Sequence, residues 1–195
     1  MDNTQTGLAG EFYVLAQLVQ RGLVATFTLA NTKGVDILVS NAELNRLFKI
    51  EVKTTDRNPH HESLFADEPC YHWPMSEKHE RLRDANLFYC FVALRGCAQL
   101  PRFFVVPSLY VATYVREQHA YWLRTRQKSV SETTMRRFRI PATDPLGFEN
   151  NWGVLAGVEK QCKRSILYFQ ILGLNLGAAR KSETVVLHIS SYVHI

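Results

Sequence analysis

The sequence lacks the marks of several classes of protein. No apolar run approaches the roughly 20 residues of a membrane-spanning helix, and the longest covers residues 87–94. The four cysteines include no C-x-x-C pair, which is typical of reduced core thiols. No basic residue precedes Arg21, so the start does not resemble a secretory signal. We therefore expect a cytoplasmic protein with no membrane segment.

The chain does have enough apolar sequence for a globular core. Of its 195 residues, 46% are hydrophobic and 21% are charged, which argues against intrinsic disorder. A folded chain of this length buries roughly 70% of the surface that its unfolded form exposes. Neither disulfides nor a structural metal is needed to hold it together.

Hydrophobic periodicity predicts an α/β domain. Leu8, Phe12, Leu15, Ala16 and Val19 form an apolar stripe, which predicts a helix over residues 7–22, capped by Thr4 or Thr6. Strands are predicted at residues 24–29, 35–40, 47–55, 87–94 and 103–106, a loop containing Pro59, Pro69 and Pro74 after the third of them, a short helix at 76–83, and a second long helix at 107–124. This order predicts a mixed central sheet flanked by helices.

Most of the excess positive charge lies in one segment. The chain has 23 Lys plus Arg and 18 Asp plus Glu, and residues 116–140 contain seven of the former and two of the latter, leaving 16 of each sign elsewhere. Aromatic residues accompany this segment: Tyr110, Tyr114, Tyr121 and Trp122. A neutral body with one basic, aromatic-rich segment favours binding to a polyphosphate backbone, and a solvated helix face is the alternative.

Acidic residues mark two consecutive predicted strands. Asp36 begins one strand, and Glu51 and Lys53 lie two residues apart on the next, so they project from one face. In a hairpin, Asp36 can meet Glu51 across the strands. Two carboxylates near 4 Å repel by about 4 kcal/mol at an effective dielectric of 20, which a divalent cation relieves. Oxygen ligands without Cys or His favour magnesium, and Lys53 can offset charge on a phosphate.

Glu11 is a fourth candidate, on the first helix. It shares the helix side of Leu8, Leu15 and Leu18, so we expect it to face inward. A carboxylate at a buried edge requires a partner, which would be a cation, a metal-bound water or Lys53. A salt bridge to an arginine is the alternative.

These residues resemble the signature of the PD-(D/E)xK nuclease superfamily, the restriction-endonuclease-like fold. That signature is a helix Glu, a strand Asp, and E-x-K on the following strand. The resemblance covers residues 7–155 and includes Gly10-Glu11, Gly34-Val35-Asp36, Glu51-Val52-Lys53, Phe103-Phe104-Val105-Val106-Pro107 and Glu149-Asn150-Asn151-Trp152. The last two are similar to the branch of Holliday-junction resolvases and intron or phage endonucleases. Val35 departs from the proline of the family name.

The resemblance implies an αβββαβ core and a magnesium-dependent endonuclease, with Mn²⁺ able to substitute and no organic cofactor. Asp36, Glu51 and the Val52 carbonyl would be metal ligands, and Lys53 the catalytic lysine. Glu11 would hold a second metal or orient water. Metal-activated water would hydrolyse DNA phosphodiester bonds.

We expect DNA to contact residues after the E-x-K strand and in the basic segment: Thr54, Thr55, Arg57, Arg116, Arg124, Arg126, Lys128, Arg136, Arg137 and Arg139. Because cutting both strands is easiest for a symmetric pair, we expect a homodimer. Residues 1–157 would form the nuclease-like domain. Residues 158–195 would be a strand-rich extension, packed on that domain or acting as an arm.

Two other functions fit parts of the pattern. A catalytically inactive nucleic-acid-binding module would use only the basic segment, with salt-dependent binding and no metal-stimulated cleavage. A structural or interaction protein would carry Glu51 and Lys53 merely as the wet face of an edge strand. Such a protein would bind neither magnesium nor manganese specifically.

Overall fold

The computed structural model describes residues 1–29, 34–43, 45–62, 66–125 and 133–156. In chain order its elements are α1 (Asn3–Gln20), β1 (Val24–Phe27), β2 (Ile37–Asn41), β3 (Arg46–Thr55), β4 (His60–Glu62), β5 (Ala66–Ser76), the 3₁₀ helix η1 (Glu77–Glu80), β6 (Leu87–Ala93), β7 (Arg102–Pro107), α2 (Ser108–Thr125), β8 (Met135–Pro141) and the 3₁₀ helix η2 (Trp152–Ala156). Neither α1 nor α2, the long helices of these ranges, is apolar enough to cross a membrane. The predicted extension at 158–195 lies outside the described residues.

Five strands form the predicted mixed sheet, and their order in it is β1-β2-β3-β6-β7. β3 and β6 are parallel, and the other neighbouring pairs are antiparallel. A parallel pair needs a long crossover, which here runs through β4, β5 and η1. The helix expected before β6 is thus the short η1. β4, β5 and β8 form a second, three-stranded sheet.

Apolar clusters cover both faces of the five-stranded sheet. On one face, Val14 and Leu18 of α1 pack with Ile50 and other strand residues. On the other face, α2, β5 and β8 pack against β6 and β7. Every residue of β6 is therefore buried. Successive side chains of a strand point to opposite faces, so Glu51 points away from α1, to the side of its β6 partner Tyr89.

The predicted orientation of α1 is wrong. Its buried residues are Thr6, Gly10, Val14 and Leu18. Three residues of the predicted stripe are instead at least half exposed: Leu8 (50%), Phe12 (55%) and Val19 (56%). The helix also begins earlier than predicted, because Asp2 caps it and forms a capping box with Gln5. Small side chains along the buried row let α1 approach the sheet closely.

The predicted loop after β3 is also wrong, since most of it forms β4 and β5. Pro74 lies beyond the part of β5 that pairs with β4, and among the described strands this stretch pairs with β8 alone, an arrangement in which a sheet tolerates proline. Pro69 lies opposite a register shift in β4. β8 is an element that the sequence pattern does not predict, because Arg136, Arg137 and Arg139 give this stretch the character of a basic segment.

Candidate active site

The β2–β3 pairing brings Asp36 to Glu51. The terminal pair of the ladder is Ile37 with Ile50, so Asp36 lies opposite Glu51 just beyond it. Asp36 Oδ2 accepts a 2.7 Å hydrogen bond from the Val52 N–H. Because the amide and carbonyl of a strand residue project to the same edge, the Val52 carbonyl also points to the Asp36 side of β3. The predicted proximity of Asp36 and Glu51 is therefore present.

The two oxygens of Glu51 have different surroundings. The residue is only 2% exposed, and Oε1 lies 2.6 Å from Lys53 Nζ and 3.2 Å from His79 Nε2. No donor among the described residues meets Oε2 in hydrogen-bond geometry. Burial acts to raise the pKa of Glu51, but the His79 hydrogen bond and the Lys53 charge outweigh it and lower the pKa to about 2. Glu51 is thus a buried, ionised carboxylate with one satisfied oxygen.

Gly34 lies beside the unsatisfied oxygen of Glu51. A Cβ at position 34 would stand 3.6 Å from Glu51 Oε2, and the backbone there has φ of +77°, which favours glycine. On the neighbouring strand, burial and the Glu51 charge raise the pKa of Tyr89, whose hydroxyl lies close enough to the Glu51 carboxylate to add to the rise. Gly34 therefore lies on the Oε2 side of Glu51, and the Tyr89 side chain lies near the same carboxylate.

His79 also belongs to this site, although its position in the sequence does not predict a contact with Glu51. A carboxylate can only accept hydrogen bonds, so His79 Nε2 must carry the proton it shares with Glu51 Oε1. Nδ1 accepts from the Ser76 N–H at 3.0 Å and lies at the same distance from the Ser76 carbonyl. The Ser76–His79 spacing marks the start of a helical turn. It carries no information about Glu51, which is 28 residues away.

Glu11 is partly buried on α1, near the other charged groups. Burial and the charge of Asp36 raise its pKa, while Lys53 opposes the shift. Gly10 sets the position of this turn, because a Cβ there would overlap the Thr54 side chain. Glu11 therefore shares its electrostatic surroundings with Asp36 and Lys53.

Asp36 is held less favourably than Glu51. Burial raises its pKa, and the neighbouring Glu51 charge adds to the rise. The Val52 N–H, Lys53 and Lys78 act in the opposite direction and do not cancel it. The nearby cations therefore do not fully offset the cost of keeping Asp36 ionised beside Glu51.

The donor set at this site fits a hard divalent cation. Within residues 1–29, 34–43, 45–62, 66–125 and 133–156, no three or more His, Cys, Asp or Glu side chains form a group that could hold a metal. Magnesium, however, needs only one or two protein carboxylates and completes its shell with water and phosphate. Asp36, the unpartnered Oε2 of Glu51 and the Val52 carbonyl match that requirement.

The residues near the end of β3 that are predicted to contact DNA differ in their exposure to solvent. Arg57 is exposed. Thr54 packs on Gly10, and Thr55 is 7% exposed and accepts from the Arg57 N–H. Thr55 is thus covered by the protein itself and Thr54 is partly covered, and their contact with DNA stays a prediction.

The basic segment is divided in the same way. Arg116, Arg124 and Arg137 are exposed, but Arg136 is 5% and Arg139 8% exposed. Arg136 forms an ion pair with Glu80 of η1. These two arginines are largely covered by the protein, and their contact with DNA stays a prediction. Arg126 and Lys128 lie outside the described residues.

The aromatic residues of this region also have two roles. Tyr110 and Tyr114 belong to the core between α2 and the sheets. Trp122 instead lines a cleft of about 200 Å³ between α2 and β8, together with Gln118, His119, Thr133, Met135, Arg137 and Arg139. Only part of the predicted aromatic and basic segment is therefore available at the surface.

No protein-family model matches this sequence, and no curated protein matches it. Among solved structures, the chain is similar to a bacterial homing endonuclease, I-Ssp6803I, with 13% sequence identity and a TM-score of 0.47. The match covers 80% of this chain and 92% of the other. A likeness at this level assigns neither a function nor a role to any residue.

Proposed function

We propose that this protein is a magnesium-dependent endonuclease of the PD-(D/E)xK type that hydrolyses DNA phosphodiester bonds. The observation that supports this most strongly is the cluster of Asp36, Glu51 and Lys53 at the start of β2 and on β3. Glu51 is buried and ionised with one oxygen unpartnered in the described structure, and Asp36 is fixed beside it. Such a cluster is costly to bury without a cation.

Asp36, Glu51 and the Val52 carbonyl would hold the magnesium, with Mn²⁺ able to replace it, and Glu11 would orient water or serve a second ion. When bound, the metal would activate water and neutralise charge on the phosphate. The repulsion between Asp36 and Glu51, which raises the pKa of Asp36, supports this assignment because a cation would relieve it.

Each side chain then has a definable task. The Val52 N–H fixes the Asp36 carboxylate against β3. Lys53 keeps its ammonium 2.6 Å from Glu51 and is 27% exposed, so it can also donate to a phosphate oxygen from solvent. A fixed positive charge at that place would stabilise the charge that develops during hydrolysis. Glu11, on the α1 side, can accept a proton or a hydrogen bond from water.

Three substitutions test the proposal: Asp36→Ala, Glu51→Ala and Lys53→Ala. Each should abolish magnesium-dependent nicking of plasmid or branched DNA, because phosphodiester hydrolysis requires about 20 kcal/mol of barrier lowering. The assay is gel electrophoresis with and without Mg²⁺. Glu43→Ala is the matched control, since this exposed acidic residue lies in the β2–β3 turn, at the opposite end of the hairpin, and its loss should leave cutting intact.

Two results would reject this function. Cutting that survives all three substitutions would show that the cluster is not the active site. Salt-dependent DNA binding by the unchanged protein, without cutting in Mg²⁺ or Mn²⁺, would instead identify the inactive binding module of the same fold.

A further inference from the structure

The two carboxylate oxygens of Glu51 differ in the number of hydrogen-bond donors that they meet. Oε1 receives both Lys53 and His79, and Oε2 receives no donor in hydrogen-bond geometry among the described residues. A carboxylate on a flexible side chain can rotate and exchange its oxygens. Two donors on the same oxygen oppose that rotation and leave the other oxygen in one place.

Of the two donors, His79 is the more firmly held. Its side chain is 4% exposed, compared with 27% for Lys53. Its Nδ1 is fixed by the Ser76 backbone at 3.0 Å, so the imidazole bridges η1 to β3. Lys53, by contrast, has a flexible stem and a second possible partner in the substrate.

The turn that carries His79 is itself fastened at both ends to the second sheet. The Glu77 N–H donates to the Thr134 carbonyl at 2.9 Å. Glu80 forms an ion pair with the buried Arg136 of β8, which also donates to the Thr133 carbonyl at 2.6 Å. The position of the imidazole is therefore determined by contacts outside the carboxylate cluster.

We propose that His79 is a positioning residue that locks Oε1 of Glu51, so that Oε2 remains directed towards a bound divalent cation. The inference rests on the proposed function for the identity of the site, and it adds a residue from a different element. His79 does not touch the cation or the DNA. It acts only through Glu51, and η1 and β8 are the support that holds it.

A pair of substitutions separates this role from simple capping of η1. In His79→Gln the amide nitrogen reaches about as far as imidazole Nε2 and can still donate to Glu51. In His79→Asn the amide reaches only as far as Nδ1, so it can bond to Ser76 but not to Glu51. His79→Ala removes both contacts, and the exposed His61 on β4 provides the control His61→Ala.

The first measurement is the Mn²⁺ affinity of the full-length, metal-free protein by titration calorimetry, with thermal unfolding to confirm folding. His79→Ala and His79→Asn should weaken Mn²⁺ binding about 10- to 100-fold, as loss of a residue behind a metal ligand typically does. His79→Gln and His61→Ala should bind nearly as well as the unchanged protein. In cleavage assays the weakened variants should lose kcat at saturating metal with little change in KM for DNA, because His79 does not contact the substrate.

Each outcome decides the matter. Equal Mn²⁺ affinity in the Asn and Gln variants would overturn the positioning role and leave His79 as a cap, even where the Ala variant does not fold. Weakened binding in Asn that Gln restores would support it. If the unchanged protein binds Mn²⁺ with this pattern but never cuts DNA, the proposed function fails and the positioning role stands. If it binds no Mn²⁺, both fail.

Discussion

The two strand carboxylates meet across one backbone ladder, yet their surroundings affect them in opposite ways. Lys53 and His79 meet one oxygen of Glu51 and hold the pKa of Glu51 at about 2 despite burial. Asp36 is partly buried with less compensation, and burial together with the Glu51 charge raises its pKa. Strand parity and the hairpin predicted that these residues would meet. The sequence could not predict the asymmetry, because His79 reaches Glu51 from a crossover whose path it does not reveal.

The isosteric variants Glu51→Gln and Asp36→Asn should change stability in opposite directions. The pKa of Glu51 is lower in the folded protein than in the unfolded chain, where it is near 4.5, so ionised Glu51 stabilises the fold above that pH. This stabilisation is lost as the pH falls towards 2. Glu51→Gln should therefore cost about 3 kcal/mol at pH 7 and less at pH 3. A raised folded pKa costs stability above it, so Asp36→Asn should stabilise the metal-free protein at pH 7, and the gain should shrink as the pH falls through the raised pKa and be lost below the ordinary value of 3.8.

Urea unfolding of the metal-free protein at pH 7 and pH 3 measures both effects. The exposed Glu43→Gln, in the β2–β3 turn, is the control and should change stability little at either pH. The same sign of change for Glu51→Gln and Asp36→Asn at pH 7 would contradict this assignment of their environments.

At the scale of elements, α1 shows why hydrophobicity alone misplaced a helix. Its existence was predictable from the 3.6-residue period, and so were β3, β6 and α2 from their patterns. Its buried row was not, since Thr6 and Gly10 are less apolar than Leu8 and Phe12. Close contact with the Thr54 side chain selects a glycine there, and such a contact depends on tertiary structure. β4 and β5 were missed for a similar reason, because prolines indicate loops until the open edges of a sheet are known.

Gly10→Ala should destabilise the protein by about 1–3 kcal/mol, because the new methyl group overlaps Thr54 and forces α1 away from β3. The matched control is Gly7→Ala in the same helix, where a Cβ meets nothing within 4 Å. That variant should gain about 0.5–1 kcal/mol from helix propensity. Chemical denaturation measures both.

Because Glu11 follows Gly10, the shift of α1 in Gly10→Ala should also reduce cleavage at temperatures where the variant is folded. Gly7→Ala should cut like the unchanged protein. Equal stability of the two variants would mean that α1 does not approach β3 as closely as described.

At the scale of the whole molecule, charge is distributed less simply than the sequence indicated. Two arginines of the basic segment are buried, one of them in the ion pair that joins η1 to β8. The exposed arginines are the ones able to meet a phosphate backbone. Burial depends on tertiary pairing, so counting charges along the chain could not separate these groups. The homodimer stays a prediction, and the apolar residues that we expect to supply its contact, Val185, Val186, Leu187 and Ile189, lie outside the described residues.

Arg124→Ala and Arg137→Ala should each weaken DNA binding and lower the slope of log affinity against log salt by about 0.9, as expected for the loss of one phosphate contact. Fluorescence anisotropy of a labelled duplex between low and moderate salt measures the slope. Arg46→Ala, an exposed arginine on β3 outside the basic segment, should leave it unchanged. Slopes that are the same for all three variants would place the DNA on another surface.

The parallel pairing of β3 with β6 affects when the carboxylate cluster is completed during folding. The acidic residues and the lysine proposed for catalysis all lie within the first 53 residues of the chain. The strand that pairs with the second edge of β3 begins only at Leu87. A nascent chain that stops short of β6 carries the reactive groups on an incomplete sheet, and before η1 is made it has no imidazole behind Glu51. Contacts so distant along the chain form late in folding. The proposed site is therefore complete only when β6 and η1 are in place, and we expect fragments that end before them to lack the proposed cleavage activity.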